Sequence, residues 1–200
     1  MISKKVGIFL YDYVDSIDFL GLAEVLAFTS CNKEDEVEVF TIAEFGQHIR
    51  THSGVKIKPD FSIVNAPEID ILIIPRGPLK VVQSVAKNQK VKNWIIKHKN
   101  SEYICSVCTG AYILGATGLL DGKKATTHHL AVNDLQAKHP NIQVLSVSKV
   151  VHTHNFISSA GVSSGINMAM YLVEQIFGKP TAERTAHTLL DWKKTLFLPI

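Results

Sequence analysis

The segment ICSVCTGAYILG, residues 104–115, places Cys105 and Cys108 three positions apart, directly before a helical pattern. That spacing is compatible with a redox pair, half of a metal site, a nucleophile on a tight turn, or buried core residues. A redox pair needs an exposed first cysteine at a helix start, but Cys105 lies inside the apolar run YICSV. No second CxxC or suitably spaced histidine pair completes a zinc site. The redox pair is therefore disfavoured, and we predict no bound metal.

Cys108 is placed differently, because it falls between the end of a predicted strand and the start of the predicted helix TGAYIL. Nucleophiles of strand–turn–helix elbows occupy this place. Backbone N–H groups at a helix start stabilise anions, which favours an exposed thiolate there, and Gly110 and Ala111 leave room for a substrate. A buried core cysteine is the alternative. Position alone leaves both interpretations open.

Short β-branched and apolar runs alternate with longer helical patterns along the whole chain. The predicted strands include residues 4–11, 36–44, 68–77 and 102–107, and residues 143–161 form a predicted β-hairpin. The predicted helices include residues 18–30, 79–99 with a break near Asn88, 109–118 and 163–178. This alternation predicts an α/β protein with a mostly parallel sheet that is covered by helices on both faces.

In such a sheet, reactive groups gather where strands end and helices begin. The junctions after residues 4–11, 68–77 and 102–107 are far apart in sequence, but the fold would bring them to one edge. No long linker, repeat or low-complexity segment interrupts the pattern, so we expect a single domain over residues 1–200.

Composition limits the classes of partner that the chain can have. Of 200 residues, 46% are hydrophobic and 20% charged, and 21 Lys and Arg stand against 18 Asp and Glu. The basic residues are scattered, so we do not expect a nucleic-acid partner. No stretch approaches the length of a membrane span, and the first apolar run is too short for a signal peptide. Three cysteines do not form a disulfide framework, so a reducing cytoplasm is the expected location.

The segment SVCTGAYILGATGLLDGKKATTHH closely resembles the nucleophile-elbow segment of the ThiJ/PfpI superfamily, which contains the Parkinson-associated deglycase-like proteins. The resemblance extends to residues 15–26, 70–78 and 157–174. The isocyanide hydratase branch and the amidase-like domains of some transcription regulators are the most similar members. The resemblance implies a flavodoxin-like three-layer α/β sandwich, related to class I glutamine amidotransferases, and usually a homodimer.

The same resemblance implies roles for individual residues. Cys108 corresponds to the elbow nucleophile in a strained conformation, and Asp18 to the carboxylic acid beside it, which is Asp in the hydratase branch and Glu in the glyoxalase and deglycase branch. The thiolate would attack an electrophilic carbon, Asp18 would act as general acid and base, and the backbone N–H groups of Gly77 and Thr109 would stabilise negative charge. No cofactor is implied. His128 matches a family histidine whose role, catalytic or structural, stays open, and a helix N-cap is the alternative role for Asp18.

The chain also departs from the family pattern. Thr109 stands where the peptidases of the family have His, so peptidase activity is not expected. Arg76 stands where the family usually has a first glycine after the proline, and it either binds an anionic substrate or points to solvent. The chain has Gly21-Leu22 where the hydratase branch tends to have Gly-Pro.

These observations favour a cysteine-dependent hydratase or hydrolase that acts on a small molecule and is similar to isocyanide hydratases. One alternative is a redox sensor that responds through oxidation of Cys108. A second is a glyoxalase or deglycase that acts on dicarbonyls. A DNA-binding regulator is not expected, because such regulators continue into a helix-turn-helix domain and this sequence stops at LFLPI.

Overall fold

The structure, a computed structural model, describes residues 2–32 and 35–189. Its strands are β1 (Ser3–Leu10), β2 (Glu36–Ala43), β3 (Ile49–Arg50), β4 (Lys56–Ile57), β5 (Phe61–Ser62), β6 (Ile71–Ile74), β7 (Tyr103–Val107), β8 (Lys124–Ala125), β9 (Gln143–Val144), β10 (Val150–Thr153) and β11 (Phe156–Ser159). Its α-helices are α1 (Ser16–Phe28), α2 (Leu79–Lys87), α3 (Gln89–Lys97), α4 (Ala111–Gly115), α5 (Val132–Lys138), α6 (Val162–Phe177) and α7 (Lys179–Leu189). Short 3-10 turns cover Thr29–Asn32, Cys108–Gly110 and His129–Ala131.

Seven strands form the central sheet, in the order β10–β11–β7–β6–β1–β2–β5. Every neighbouring pair in this sheet is parallel except β10 with β11, which form an antiparallel hairpin. The antiparallel pair β3–β4 and the parallel pair β8–β9 lie outside it. The central sheet is therefore mostly parallel, as predicted.

The inner strands are apolar because helices cover both faces of the sheet. All four residues of β6 are buried, and so are the last five of β1. Helices α1, α6 and α7 pack against one another, and α2, α3 and α4 form a second group. Strands that are buried on both faces read as continuous apolar runs rather than as an alternating pattern. The predicted flavodoxin-like three-layer α/β sandwich is confirmed.

The predicted break near Asn88 is also confirmed, since α2 ends at Lys87 and α3 begins at Gln89. The Asn88 side chain accepts hydrogen bonds from the backbone N–H groups of Lys90 and Val91. An asparagine that accepts from the first N–H groups of a helix is an N-cap, so this residue starts α3.

Two predicted elements are wrong in extent. The helix predicted over residues 109–118 is a 3-10 turn followed by α4, and turns follow through Gly118, whose φ of 76° ends helical geometry. The hairpin predicted over residues 143–161 covers only β10 and β11, because Gln143–Val144 pairs in parallel with Lys124–Ala125 instead. The hairpin is shorter than predicted because its first residues pair with a distant segment of the chain. The local residue pattern contains no information about such pairing.

The helices within residues 2–32 and 35–189 were compared with the requirements of a bilayer. None of them combines the length and the apolar character that a membrane-spanning helix needs.

Candidate active site

Three strand ends meet at one edge of the sheet. Strands β7, β6 and β1 are adjacent and parallel, so their carboxyl ends lie side by side. Cys108 follows β7, Arg76 and Gly77 follow β6, and Asp18 lies in the first turn of the helix that follows β1. The junctions that the sequence separates by many residues therefore do converge.

Cys108 occupies a strained elbow. Its φ is 54°, in the left-handed region that non-glycine residues rarely adopt. The Thr127 hydroxyl donates a hydrogen bond to the Cys108 carbonyl at 2.8 Å, which holds the turn from the opposite side. Strain of this kind persists only where the surroundings enforce it, and it is concentrated at functional sites. The predicted strand–turn–helix elbow at Cys108 is confirmed.

The Cys108 side chain is buried rather than exposed, since the residue is only 1% accessible to solvent. Burial raises the pKa of its thiol, while the N–H of Thr109 and the positive charge of Arg76 lower it and the charge of Asp18 raises it. Of the two interpretations that position left open, the structure favours a buried thiol, because desolvation outweighs the effect of the N–H groups of the turn on its pKa. At neutral pH the resting sulfur keeps its proton.

Cys105 lies inside β7 as predicted and is fully inaccessible to solvent. Burial raises the pKa of this thiol. Both Cys105 and Cys108 are free thiols. Cys105 is thus an inert core residue, and the two cysteines do not form a redox pair.

Asp18 is a buried carboxyl group beside the thiol. Helix α1 begins at Ser16, and Asp15 occupies its N-cap position, which excludes the N-cap role for Asp18. Asp18 is 1% exposed, and neither of its carboxylate oxygens has a hydrogen-bond partner among the described residues. Burial raises its pKa from 3.8 to about 6, against the lowering effect of Arg76. A carboxyl group with that pKa exchanges its proton near neutral pH.

Arg76 lies inside the site rather than pointing away from it. Its Nε donates a hydrogen bond to Asp15 Oδ2 at 2.7 Å and lies 3.1 Å from Asp18 Oδ2. Asp15 Oδ1 in turn lies 3.2 Å from His52 Nδ1. The sequence left the direction of Arg76 open and gave no role to Asp15 or His52. The signal for Asp15 was its position three residues before Asp18, which puts both carboxylates at one helix start.

Gly77 and Thr109, whose backbone N–H groups were predicted to stabilise negative charge, are hydrogen-bonded to each other. The Thr109 hydroxyl donates to the Gly77 carbonyl at 2.8 Å and accepts from the Gly77 N–H at 3.3 Å. The Thr109 N–H lies at the Cys108 sulfur, where it lowers the pKa of the thiol. Thr109 therefore provides an N–H at the Cys108 sulfur, whereas the N–H of Gly77 already has an acceptor.

His128 lies at the border of the site. Its Nδ1 accepts a hydrogen bond from the Leu130 N–H at 3.3 Å, and its ring lies 4.2 Å from that of His129. Burial, the neighbouring His129 and the charge of Arg76 all lower the pKa of His128. A neutral imidazole within range of the Arg76 charge fits either of its predicted roles.

Three further histidines lie on the surface. His129, His152 and His154 are exposed. No group of three or more His, Cys, Asp or Glu residues within the described ranges could hold a metal ion.

Asp18→Asn is expected to change stability in a pH-dependent way. The folded-state pKa of Asp18 is raised to about 6, so its contribution to stability is present below about pH 4 and is lost as the pH rises through about 6. The uncharged asparagine avoids that loss. The free energy of unfolding of the variant, relative to that of the wild type, should therefore rise by on the order of 3 kcal/mol between about pH 4 and 7. Urea unfolding across this pH range measures the difference.

The matched control is Glu24→Gln, which removes a carboxylate from the exposed face of the same helix. Its effect should stay small across the same range, because an exposed carboxylate is solvated in both states. A stability difference between Asp18→Asn and wild type that does not change with pH would show that Asp18 is not desolvated as described.

The fold and the site together define a class: α/β proteins with a cysteine at a strand–turn–helix elbow and a buried carboxylic acid after another strand that ends at the same edge of the sheet. The profile of the DJ-1/PfpI family matches residues 4–175, and the chain belongs to that family.

Similar proteins include enzymes and regulators. An isonitrile hydratase from Pseudomonas putida is 29% identical over 181 residues, which cover 90% of this chain and 75% of that protein. The HTH-type transcriptional regulator GbdR of Pseudomonas aeruginosa is 24% identical over 88% of this chain, which spans only 47% of the regulator. The crystal structure of DJ-1beta from Drosophila melanogaster has a TM-score of 0.82 at 21% identity and covers 94% of this chain and 98% of its own. This structural similarity supports the fold.

Proposed function

We propose that the protein is a cysteine-dependent hydratase of small electrophilic molecules, with an isocyanide as the first substrate to test. The observation that carries the proposal is the Asp18 carboxyl group, which is buried beside the strained Cys108, forms an ion pair with Arg76 Nε at 3.1 Å and has no hydrogen bond among the described residues. Buried carboxyl oxygens are almost always hydrogen-bonded, and the exceptions call for an explanation. A proton that passes between sulfur, carboxylate and substrate is such an explanation.

The first step follows from the resting protonation state. The Cys108 sulfur attacks the terminal carbon of the isocyanide while the Asp18 carboxylate takes the thiol proton, and a carbon–sulfur bond forms. Asp18 then returns that proton to the same carbon, which gives a covalent thioimidate. A pKa of about 6 suits Asp18 to both transfers.

Hydrolysis completes the cycle. Asp18, again a carboxylate, takes a proton from a water molecule that adds to the thioimidate carbon and passes this proton to the nitrogen. The carbon–sulfur bond then breaks, the sulfur leaves with its electron pair, and the proton of the added hydroxyl group moves through Asp18 to the sulfur. The product is an N-substituted formamide. The N–H of Thr109 stabilises negative charge on the sulfur in both steps.

Formamide production tests the proposal directly. Purified protein is incubated in parallel with a simple alkyl isocyanide and with methylglyoxal, and formamide and lactate are followed by NMR. We expect formamide and no lactate. Asp18→Glu should lower formamide production, because the longer side chain moves the carboxyl group relative to the sulfur. If the wild type consumes methylglyoxal and no isocyanide, the glyoxalase alternative replaces the hydratase.

The burial of Cys108 argues against the redox-sensor alternative. Oxidation to sulfenic acid requires thiolate character and access to the oxidant. Here burial raises the pKa of the thiol, so the resting sulfur has little thiolate character. We therefore favour the hydratase function over the redox-sensor function.

We also propose that the protein forms a homodimer in the cytoplasm. Ile17 and Leu20, on α1, are 57% and 49% exposed, and Tyr13 just before this helix is 51% exposed. Apolar side chains grouped in this way are typical of a surface that another protein covers. Sedimentation velocity checks the assembly, and a monomer at high protein concentration contradicts it.

A further inference from the structure

The Arg76 guanidinium contacts carboxylate oxygens through its Nε atom. Its Nε faces Asp15 and Asp18, at 2.7 Å and 3.1 Å from their carboxylate oxygens. Within residues 2–32 and 35–189, its hydrogen bonds to oxygen involve Nε and leave the two Nη groups without an oxygen acceptor. Because the guanidinium is planar, fixing Nε also fixes the plane in which the Nη groups point.

The charge of this guanidinium acts on the reacting groups. It lowers the pKa of the Cys108 thiol, after the larger effects of burial and the Thr109 N–H, and it also contributes to the lowered pKa of His128. The side chain is 29% exposed, whereas the Asp18 side chain is fully buried. Arg76 therefore reaches solvent while its charge acts on the buried Cys108 sulfur.

The backbone donor that the sequence predicted at this place is already engaged. The Gly77 N–H is directed to the Thr109 hydroxyl, which returns a hydrogen bond to the Gly77 carbonyl. A donor that already has an acceptor contributes less to binding an incoming anion than a free one does. The Arg76 guanidinium, which also hydrogen-bonds the Cys108 side chain and whose Nη groups have no oxygen acceptor among the described residues, thus supplies the stronger donors beside Cys108.

We propose that Arg76 binds a carboxylate of the substrate next to the carbon that Cys108 attacks, so that the site accepts small anionic electrophiles. This inference rests on the proposed function insofar as Cys108 is the nucleophile. Two parallel N–H groups match the two oxygens of a carboxylate, which is the geometry of the strongest arginine pairs. A carboxylate bound there also brings negative charge towards Asp18, which raises the proton affinity of the Asp18 carboxylate and so helps it to take the thiol proton.

Two alkylating reagents test the proposal without any turnover. Iodoacetate and iodoacetamide both form a carbon–sulfur bond at Cys108 and release iodide, but only iodoacetate carries a carboxylate beside the attacked carbon. The ratio of their rate constants at Cys108, followed by mass spectrometry, cancels changes in the ionisation of the thiol, because both reagents use the same sulfur. It therefore reports binding of the carboxylate.

We expect Arg76→Gln to lower the ratio of the iodoacetate to the iodoacetamide rate constant by about tenfold, the size of one charged hydrogen bond. Arg76→Lys, which keeps the charge but loses the paired donors, should give an intermediate ratio and serves if the glutamine variant does not fold. Lys97→Gln, which removes an exposed positive charge at the end of α3, should leave the ratio unchanged.

An unchanged ratio in both Arg76 variants overturns the proposal, and so does a Cys108 that reacts with neither reagent. Turnover of isocyanoacetate against its neutral ethyl ester gives a second measurement, in which the wild type should prefer the acid. If neither compound is hydrated while the alkylation ratio still depends on Arg76, the anion site stands and the hydratase proposal fails.

Discussion

Replacing Cys108 by alanine is expected to lower the rate of formamide production by roughly three orders of magnitude or more, the range seen when a catalytic nucleophile is removed. The reason is that the proposed covalent step cannot take place without the sulfur, so that no thioimidate forms for the water activated by Asp18 to attack. The rate constant is measured by NMR under saturating isocyanide for wild type and variant.

Cys105→Ala is the matched control for this experiment. It makes the same chemical change, loss of a thiol, at a fully buried position in β7 that is not part of the proposed site. It should cost about 1 kcal/mol in the free energy of unfolding through lost packing, with the activity of the folded protein retained. A Cys108→Ala variant that keeps more than about a tenth of the wild-type rate would contradict a nucleophilic role.

The residue pattern predicts the location of the site, because that location follows from the order and direction of the strands. Apolar runs mark β1, β6 and β7, and the rule that parallel strands end at one edge predicts that the junctions after these strands converge. The family resemblance then singles out Asp18 and Gly77 near two of these junctions and implies their roles and that of Cys108. Both inferences use only the local residue pattern and general properties of the fold, and both kinds of information can be obtained from the sequence.

The electrostatics of the site could not be predicted in the same way. Position at a helix start indicated an acidic thiol, but the pKa of Cys108 depends on how completely α1, β6 and the surrounding loops exclude water from it. The direction of Arg76 depends likewise on Asp15, which is 61 positions away in the chain. Such contacts form only when distant segments pack, so no window of sequence contains them.

A larger expected effect on stability belongs to Gly110, the second residue after the nucleophile. A Cβ atom there would lie 2.3 Å from the Ile74 carbonyl oxygen and 2.9 Å from that of Pro75. Both atoms are backbone at the end of β6, so they cannot move aside as a flexible side chain would. Gly110 has ordinary helical dihedral angles, with φ of −54°, so the requirement is for space and not for conformational freedom.

Gly110→Ala is therefore expected to lower the free energy of unfolding by about 3 kcal/mol or more, which is the cost of overpacking against rigid atoms. For a chain of this size the melting temperature should fall by roughly 10 °C. The folded fraction should also lose activity, because the clash separates the elbow from the turn that carries Arg76 and Gly77. Thermal unfolding by circular dichroism, together with formamide production, measures both effects.

Gly21→Ala makes the same chemical change in the interior of α1 and serves as the matched control. The nearest atom to its added methyl group would be Ile166 Cγ1 at 3.6 Å, an ordinary contact. Alanine is the better helix former by about 1 kcal/mol, so this variant should be as stable as the wild type or more so. If Gly110→Ala unfolds no earlier than Gly21→Ala, the close approach of the elbow to β6 does not exist. The strained geometry of Cys108 would then need another cause, because that approach is what fixes the turn in the position where the sulfur faces Asp18.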